Sequence, residues 1–423
     1  MTAVPRSVVV IIDPLRAGTK LAQLFNGLGY RCVAVLSQES DSAFWRASFR
    51  PQDFLLVLNE ADGFDTLLHG LRPYDVSCLV PGGESGVDLA DRLTPHYPGV
   101  PALDPRMAHG RRDKFHMAEL LTANGLAAIP HLRTADPAAA VDWFTTRSDG
   151  HVVVKPLAGT SAEGVRFCSS AAQVEAAFAE LQGSVSLFGR LNEELLVQQD
   201  IAHGGGVEFT VNSVSSRGRH HVTDVWRMHR QMVGATAVCT YSELVHPHEA
   251  DYGVLATYLQ DVLAALGIDN GTAHSEIMTT ADGPVLIETG ARIEGACDPA
   301  AALTLTGRSQ NSLLPLGYLD PQGFEHAITR PRPSPARHAR HVYLLSHLEG
   351  KVVRAPDLDP IRRLPSFHGM DTTLDAVDVL ERTVNLATCP GNLYLVADSR
   401  DRLERDYATL RRLEQRLYAD MLG

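Results

Sequence analysis

The chain has 423 residues, 44 % of them hydrophobic and 21 % charged, an ordinary globular composition with room for about two to four domains. Its formal net charge of −12 argues against a nucleic-acid binder, though not against a local basic pocket for phosphates. No run is apolar enough to span a membrane, and the six cysteines (Cys32, Cys78, Cys168, Cys239, Cys297 and Cys389) form no C-x-x-C pair, which points away from a disulfide framework or a zinc site and towards a reduced, cytoplasmic setting.

Val8–Ile12 is a short apolar run closed at once by Asp13 and Pro14, so it reads as a buried strand and not as a signal peptide. Gly18 to Leu28 has helical spacing. Arg31–Leu36, Phe54–Leu58 and Ser77–Val80 read as further buried strands, the last leading into Pro81-Gly82-Gly83-Glu84 and a helix over Ser85 to Leu93. This alternation predicts a parallel, Rossmann-like α/β domain over 1–106. A second unit, 107–200, opens with a helix over Arg111 to Asn124, stopped by Gly125. His151–Lys155 is a strand, followed by a glycine-bearing loop, a helix over Ala171–Leu181 and a strand over Glu194–Gln199. A third unit covers 201–329. Arg330 to His341, rich in proline and arginine, reads as a linker into a C-terminal unit, 330–423. That unit holds short strands at Val342–Leu345 and Leu393–Val396. It ends in an amphipathic helix carrying Leu403, Tyr407, Leu410, Leu413, Leu417 and Met421.

The segment Ala273 to Arg292 predicts a hairpin turning at Asp282-Gly283-Pro284. Centring the turn on Asp282 sets Glu276 opposite Glu288, Thr279 opposite Val285 and His274 opposite Gly290. Period-2 alternation then puts His274, Glu276, Glu288, Gly290 and Arg292 on one face, with Ile277, Val285 and Ile287 on the core side. Two opposed carboxylates repel each other, and a hard cation with oxygen ligands removes that penalty. Arg292 adds a fixed positive charge suited to a transferring phosphoryl group or an oxyanion.

Lysine occurs only at Lys20, Lys114, Lys155 and Lys351, which suggests that it is kept where a compact ammonium is wanted. Lys155 ends an apolar strand and precedes Gly159-Thr160-Ser161-Ala162-Glu163-Gly164, a loop able to wrap its N–H groups around phosphates; it is not a Walker A loop, because Val165 and Arg166 follow. Lys114 stands in the first turn of its helix, where it opposes the helix dipole, and so suggests an anionic partner. Glu243 is a candidate for lining a substrate pocket, and His274 for orienting a substrate or a metal-bound group. The spacing of His229, His246 and His248 fits no zinc motif.

The ordered set Asp113-Lys114, Lys155 before its loop, Leu196-Val197-Gln198-Gln199-Asp200-Ile201, Val207-Glu208-Phe209-Thr210-Val211 and Glu276, Glu288, Arg292 resembles the ATP-grasp superfamily over roughly residues 105–300. The stretches T-A-H-S-E and L-I-E-T-G-A-R-I-E-G, with Leu364-Pro365-Ser366-Phe367 and Thr388-Cys389-Pro390-Gly391, look most like L-amino acid ligases of the bacilysin type. The resemblance implies an α/β ATP-grasp fold: an N-terminal α/β domain, a small lobe with a flap, a large lobe with the metal site, and a C-terminal extension. It implies that Lys114 and Lys155 contact ATP phosphates under a flap of Gly159, Thr160, Ser161 and Gly164, that Gln198, Gln199 and Ile201 hold adenine, and that Glu208 holds the ribose. Glu276 and Glu288 would be ligands of Mg²⁺ (or Mn²⁺), and Arg292 would stabilise the phosphoryl-transfer and tetrahedral states. Many members carry Asn where this chain has Gly290, and some L-amino acid ligases carry Trp where it has Ala296, so neither the number of metal ions nor substrate choice carries over.

The implied activity is ATP-dependent joining of a carboxylate to an amine, both small molecules and amino acids or their relatives, through an acyl phosphate. Family habit implies a monomer or homodimer. Two rivals are a carboxylase that activates bicarbonate on the same core and a non-catalytic nucleotide-binding subunit, against which the intact Lys, Glu and Arg set argues.

Overall fold

In the N-terminal 100 residues, apolar β-branched runs make strands β1 (Ser7–Ile12), β2 (Arg31–Leu36), β3 (Leu56–Asn59) and β4 (Asp75–Pro81). They form a parallel sheet in the order β3-β2-β1-β4. This is a computed structural model, and it describes residues 7–160, 162–295, 299–330, 337–386 and 388–423. Alternate residues of β1 face opposite ways. Val8, Val10 and Ile12 pack with Leu67, Leu71, Leu89 and Leu93. Val9 and Ile11 pack with Leu21 and Phe25, and also with Leu314 and Tyr318 of the helix Gln310–Leu319. A helix from the third unit therefore closes the N-terminal sheet, and the two units share a core.

The helix expected over Arg111 to Asn124 is broken. His109–Arg112 is a single turn, and a second helix runs over Lys114–Ala123. Asp113 between them is extended (φ −96°, ψ 116°) and accepts from the N–H groups of Phe115 at 2.9 Å and His116 at 3.0 Å. An N-cap aspartate favours that backbone over a continuous helix. Lys114 thereby becomes the first helical residue.

The small lobe is an antiparallel sheet in the order β5-β8-β6-β7, made of β5 (His131–Thr134), β6 (Val152–Pro156), β7 (Arg166–Cys168) and β8 (Leu195–Gln199). Helices Pro137–Arg147 and Ala171–Leu181 pack on it through Ala140, Phe144, Val174 and Phe178.

The third unit contributes β9 (Val207–Ser216), β10 (Arg219–Val233), β11 (Thr236–Leu244), β12 (Gly271–Thr280) and β13 (Gly283–Gly290). The C-terminal unit adds β14 (His338–Tyr343), β15 (Gly350–Lys351), β16 (Phe367–Thr372), β17 (Val379–Leu380) and β18 (Gly391–Ala397). Eight of these strands form one sheet in the order β13-β12-β9-β10-β11-β14-β18-β16, which crosses from the third unit into the fourth at the β11–β14 pair. The stretch expected as a linker to His341 is therefore a strand from His338 onward. Past the last proline every N–H can join the ladder, and the open edge of β11 supplies the partner. The final helix, Arg400–Leu422, packs Leu403, Leu410, Leu417 and Met421 against that sheet.

The β12–β13 hairpin pairs Glu276 with Glu288 and His274 with Gly290, in the register the turn arithmetic predicts. Nearer the turn the register differs: Thr279 faces Pro284, not Val285, because the pairing shifts between Glu276 and Ile277. The extra residue is Ile287. The bulge sends Leu286 into the core beside Ile277, and turns Ile287 to the cavity instead of the core side.

Candidate active site

A cavity of about 1320 Å³ lies between the N-terminal domain, the small lobe and the eight-stranded sheet. Of the residues singled out from sequence, Lys114, Lys155, Gly159, Thr160, Gln198, Gln199, Ile201, Glu208, His274, Glu276, Glu288 and Arg292 line it. Gly164 does not. It turns the loop at φ +69°, where a Cβ would meet Pro156 at 2.9 Å. Glu243 also lies outside the cavity, bound to Arg340 at 2.6 Å and near His229. Ser161, Ala296 and Cys297 fall outside the described residues.

At the centre, Lys114 Nζ sits 2.7 Å from Glu288 Oε2. Burial would push the Glu288 carboxyl up, but Lys114, Lys155 and Arg292 outweigh it and hold it at about 2. Across the hairpin, Glu276 is pushed up to about 7 by burial and by Glu288 and Glu208, against the pull of Arg230 and Lys114. Burial and the neighbouring Lys114 lower Lys155 to about 8, although three glutamates oppose this. Burial opposes the charge on Lys114 too, but Glu288 prevails and its pKa is raised. His274 is driven to about 3 by burial and by Arg292, so it is neutral at pH 7. Its Nδ1 lies 3.1 Å from Asn212 Oδ1, and that amide also donates to Asp224 and to Glu294, which lines the cavity.

The donor set fits a hard divalent cation. Two carboxylates face each other in register, and burial together with Glu288 and Glu208 opposes the charge on Glu276, a tension that a cation bound between the pair would relieve. Among the described residues no third His, Cys, Asp or Glu completes an all-protein cage. That suits Mg²⁺, which keeps water and substrate oxygens in its shell.

Three side chains at this site escape sequence reading. Arg230, on β10, grips Glu208, with Nε 2.7 Å from Oε2, and approaches Glu276 at 3.9 Å. Glu84, from the loop after β4, accepts from Arg292 Nε at 2.9 Å. A Cβ at residue 290 would lie 2.6 Å from Glu84 Oε2, so glycine there is what admits the glutamate. Asn212 is the third. Only the position of Glu84, at the carboxyl end of a parallel strand in a glycine-rich turn, carried a signal.

A parallel α/β domain, an antiparallel small lobe and a larger sheet, closing on paired glutamates and two lysines, define an ATP-grasp enzyme. The chain belongs to the ATP-grasp ligases. The family model described as an ATP-grasp domain matches residues 149–300. The dapdiamide A synthase of Enterobacter agglomerans is 30 % identical over 425 residues, covering 98 % of this chain and 97 % of that protein. Among solved structures, the L-amino acid ligase of Bacillus licheniformis superposes with a TM-score of 0.74 at 17 % identity, covering 96 % of this chain and 97 % of the other. The ADP complex of N5-carboxyaminoimidazole synthetase from Staphylococcus aureus gives 0.68 at 13 % identity, covering 96 % and 97 %. These two show a shared fold.

Proposed function

We propose that this protein joins a carboxylate to an amine, both amino acids or close relatives of amino acids, by way of an acyl phosphate, releasing ADP and phosphate. The observation that carries this reading is the Glu276–Glu288 pair, set in one cavity with Lys114, Lys155 and Arg292. Its full-length likeness to a dapdiamide synthase supports an amino-acid-type substrate.

Lys114 and Lys155 bind the phosphates as compact cations, and Gly159 and Thr160 cover them, in a loop that Gly164 turns. Gln198, Gln199 and Ile201 receive adenine at the end of β8. Glu208 receives the ribose hydroxyls on the lone pairs that Arg230 leaves free. Glu276 and Glu288 would hold Mg²⁺, or Mn²⁺, which would supply positive charge to neutralise the phosphoryl oxygens.

An oxygen of the substrate carboxylate attacks the γ-phosphorus, the bond to the β-phosphate oxygen breaks, and ADP leaves. The amine nitrogen then attacks the acyl carbon, phosphate departs, and the nitrogen loses a proton. Arg292 faces the negative charge that develops in both steps. Neutral His274 orients the donor acid from beside Glu276. The lobes exclude water that would otherwise hydrolyse the acyl phosphate. Free thiols at the five described cysteines fit a reducing, cytoplasmic setting, and the enzyme acts as a monomer or homodimer.

The test is phosphate release from MgATP over pairs of amino acids, with mass analysis of the products. An amide of the paired substrates is expected, and Glu288→Ala should abolish it. Bicarbonate-dependent phosphate release without an amine would replace this reading with a carboxylase. Tight ATP binding without ADP formation in any mixture would replace it with a nucleotide-binding subunit.

A further inference from the structure

Residues 183–192 of the small lobe form a short hairpin. Gly183 N–H donates to Asn192 O, Asn192 N–H to Ser184 O, and Ser186 N–H to Arg190 O. Its tip is docked on the N-terminal domain. Phe188 is buried and stacks on Trp45 with ring centroids 5.2 Å apart, while Trp45 Nε1 donates to Leu187 O at 3.1 Å. The same tip touches the phosphate-side loop, because Leu187 N–H donates to the Glu163 carboxylate at 2.9 Å.

From this tip a line of alternating charges runs into the active site. Arg190 bonds both Asp88 and Glu39, with Nε 2.8 Å from Glu39 Oε1. The second oxygen of Glu39 accepts from Arg112 Nη2 at 3.0 Å. Arg112, only 4 % exposed, lies against the Phe188 ring, places Nε 3.3 Å from Glu84 Oε1 and donates to the Glu84 backbone carbonyl. Glu84 Oε2 accepts from Arg292 Nε. Arg292 Nη1 is taken by the carbonyl of Ile293 at 3.1 Å, and Nη2 has no partner among the described residues. Two of its three nitrogens are thus fixed, which aims the third into the cavity. An exposed pair on its own would contribute little, but Arg112 and Glu84 are shielded, and losing either partner leaves a buried charge uncompensated.

We propose that Glu84 is the positioning residue that aims Arg292, and that its own placement depends on docking of the 183–192 hairpin through Arg190, Glu39 and Arg112. The Arg292 guanidinium is then correctly presented only while the small lobe sits against the N-terminal domain. Acyl transfer is thereby tied to a closed cavity, where water cannot compete. The assignment rests on the ligase reading for what Arg292 does, but not for how it is held.

Hydrogen–deuterium exchange on the nucleotide-free, full-length chain tests the holding directly. In Arg190→Ala and Glu39→Gln, exchange over 82–86 and 288–294 should rise about threefold or more, while Arg190→Lys stays near wild type. A rise confined to residues 43–49 and 183–192 would overturn the relay. In the amino-acid-pair assay, Arg190→Ala and Glu84→Gln should lower kcat for amide about tenfold or more, with KM for ATP changed less than about threefold and more phosphate released per amide. Unchanged kcat and coupling in both variants would also overturn it. Absence of amide formation by the wild type would remove the ligase reading alone, since the exchange pattern decides the relay without any substrate.

Discussion

At residue 290 the volume a side chain would fill is occupied by a carboxylate from another domain. Gly290→Ala should push Glu84 away from Arg292 and lower kcat by about tenfold or more, because sub-ångström placement of a charge-stabilising group governs its effect. A thermal midpoint within a few degrees of wild type, alongside the loss of rate, would separate this from unfolding. Glu276 makes a second prediction. With its pKa raised to about 7, it binds a proton at lower pH, and a cation must displace that proton. Affinity for Mg²⁺ in the presence of ADP should therefore fall as pH drops below 7. From pH 8 to pH 6 the weakening should be about tenfold by calorimetric titration, and Glu276→Gln should remove the dependence. The facing glutamates were legible because a turn dipeptide and strand alternation suffice to align them. Arg230 and Glu84 were not, since each meets its partner through a contact that no local pattern records: Arg230 beyond the last paired residues of the β9–β10 ladder, Glu84 across a domain boundary.

At the scale of single elements, β14 is held by charge as well as by its ladder. Arg340, 2 % exposed, bridges Glu243 on β11 and Glu404 on the final helix. His229, with Nε2 3.5 Å away, and Arg340, which donates to it, hold the Glu243 carboxyl down at about 2 against the effect of burial. A depressed carboxyl contributes stability above its unfolded pKa and loses it as pH falls through the folded one. The contribution of Glu243 should therefore be complete above about pH 4.5 and disappear between there and about pH 2. Urea unfolding of Glu243→Gln should show a deficit on the order of 2 kcal/mol at pH 7 that shrinks below pH 4.5. Element types were largely readable from periodicity, and the misreadings have physical causes. Asp113 breaks a helix because a capping side chain outcompetes continuation. His338–His341 looks like a linker because its composition continues a proline-rich run, while the edge that recruits it lies about a hundred residues earlier.

At the scale of the whole molecule, ATP chemistry and the C-terminal unit stand on one sheet. Ending the chain at residue 330 would strip β14 from β11 and uncover Trp226 and Leu244, which pack against Ala339 and Tyr394. Such a truncation should yield aggregated protein by size-exclusion chromatography, not a free ATP-binding fragment. The shared sheet also bears on inheritance. Pieces of a chain can be exchanged between relatives only where few bonds cross the joint, and here the ladder, the Glu243–Arg340 pair and a common apolar layer all cross it. The C-terminal unit is therefore not a cassette that recombination could swap to retune substrate choice. Change in that part of the cavity wall has to come by point substitution within a register that stays fixed.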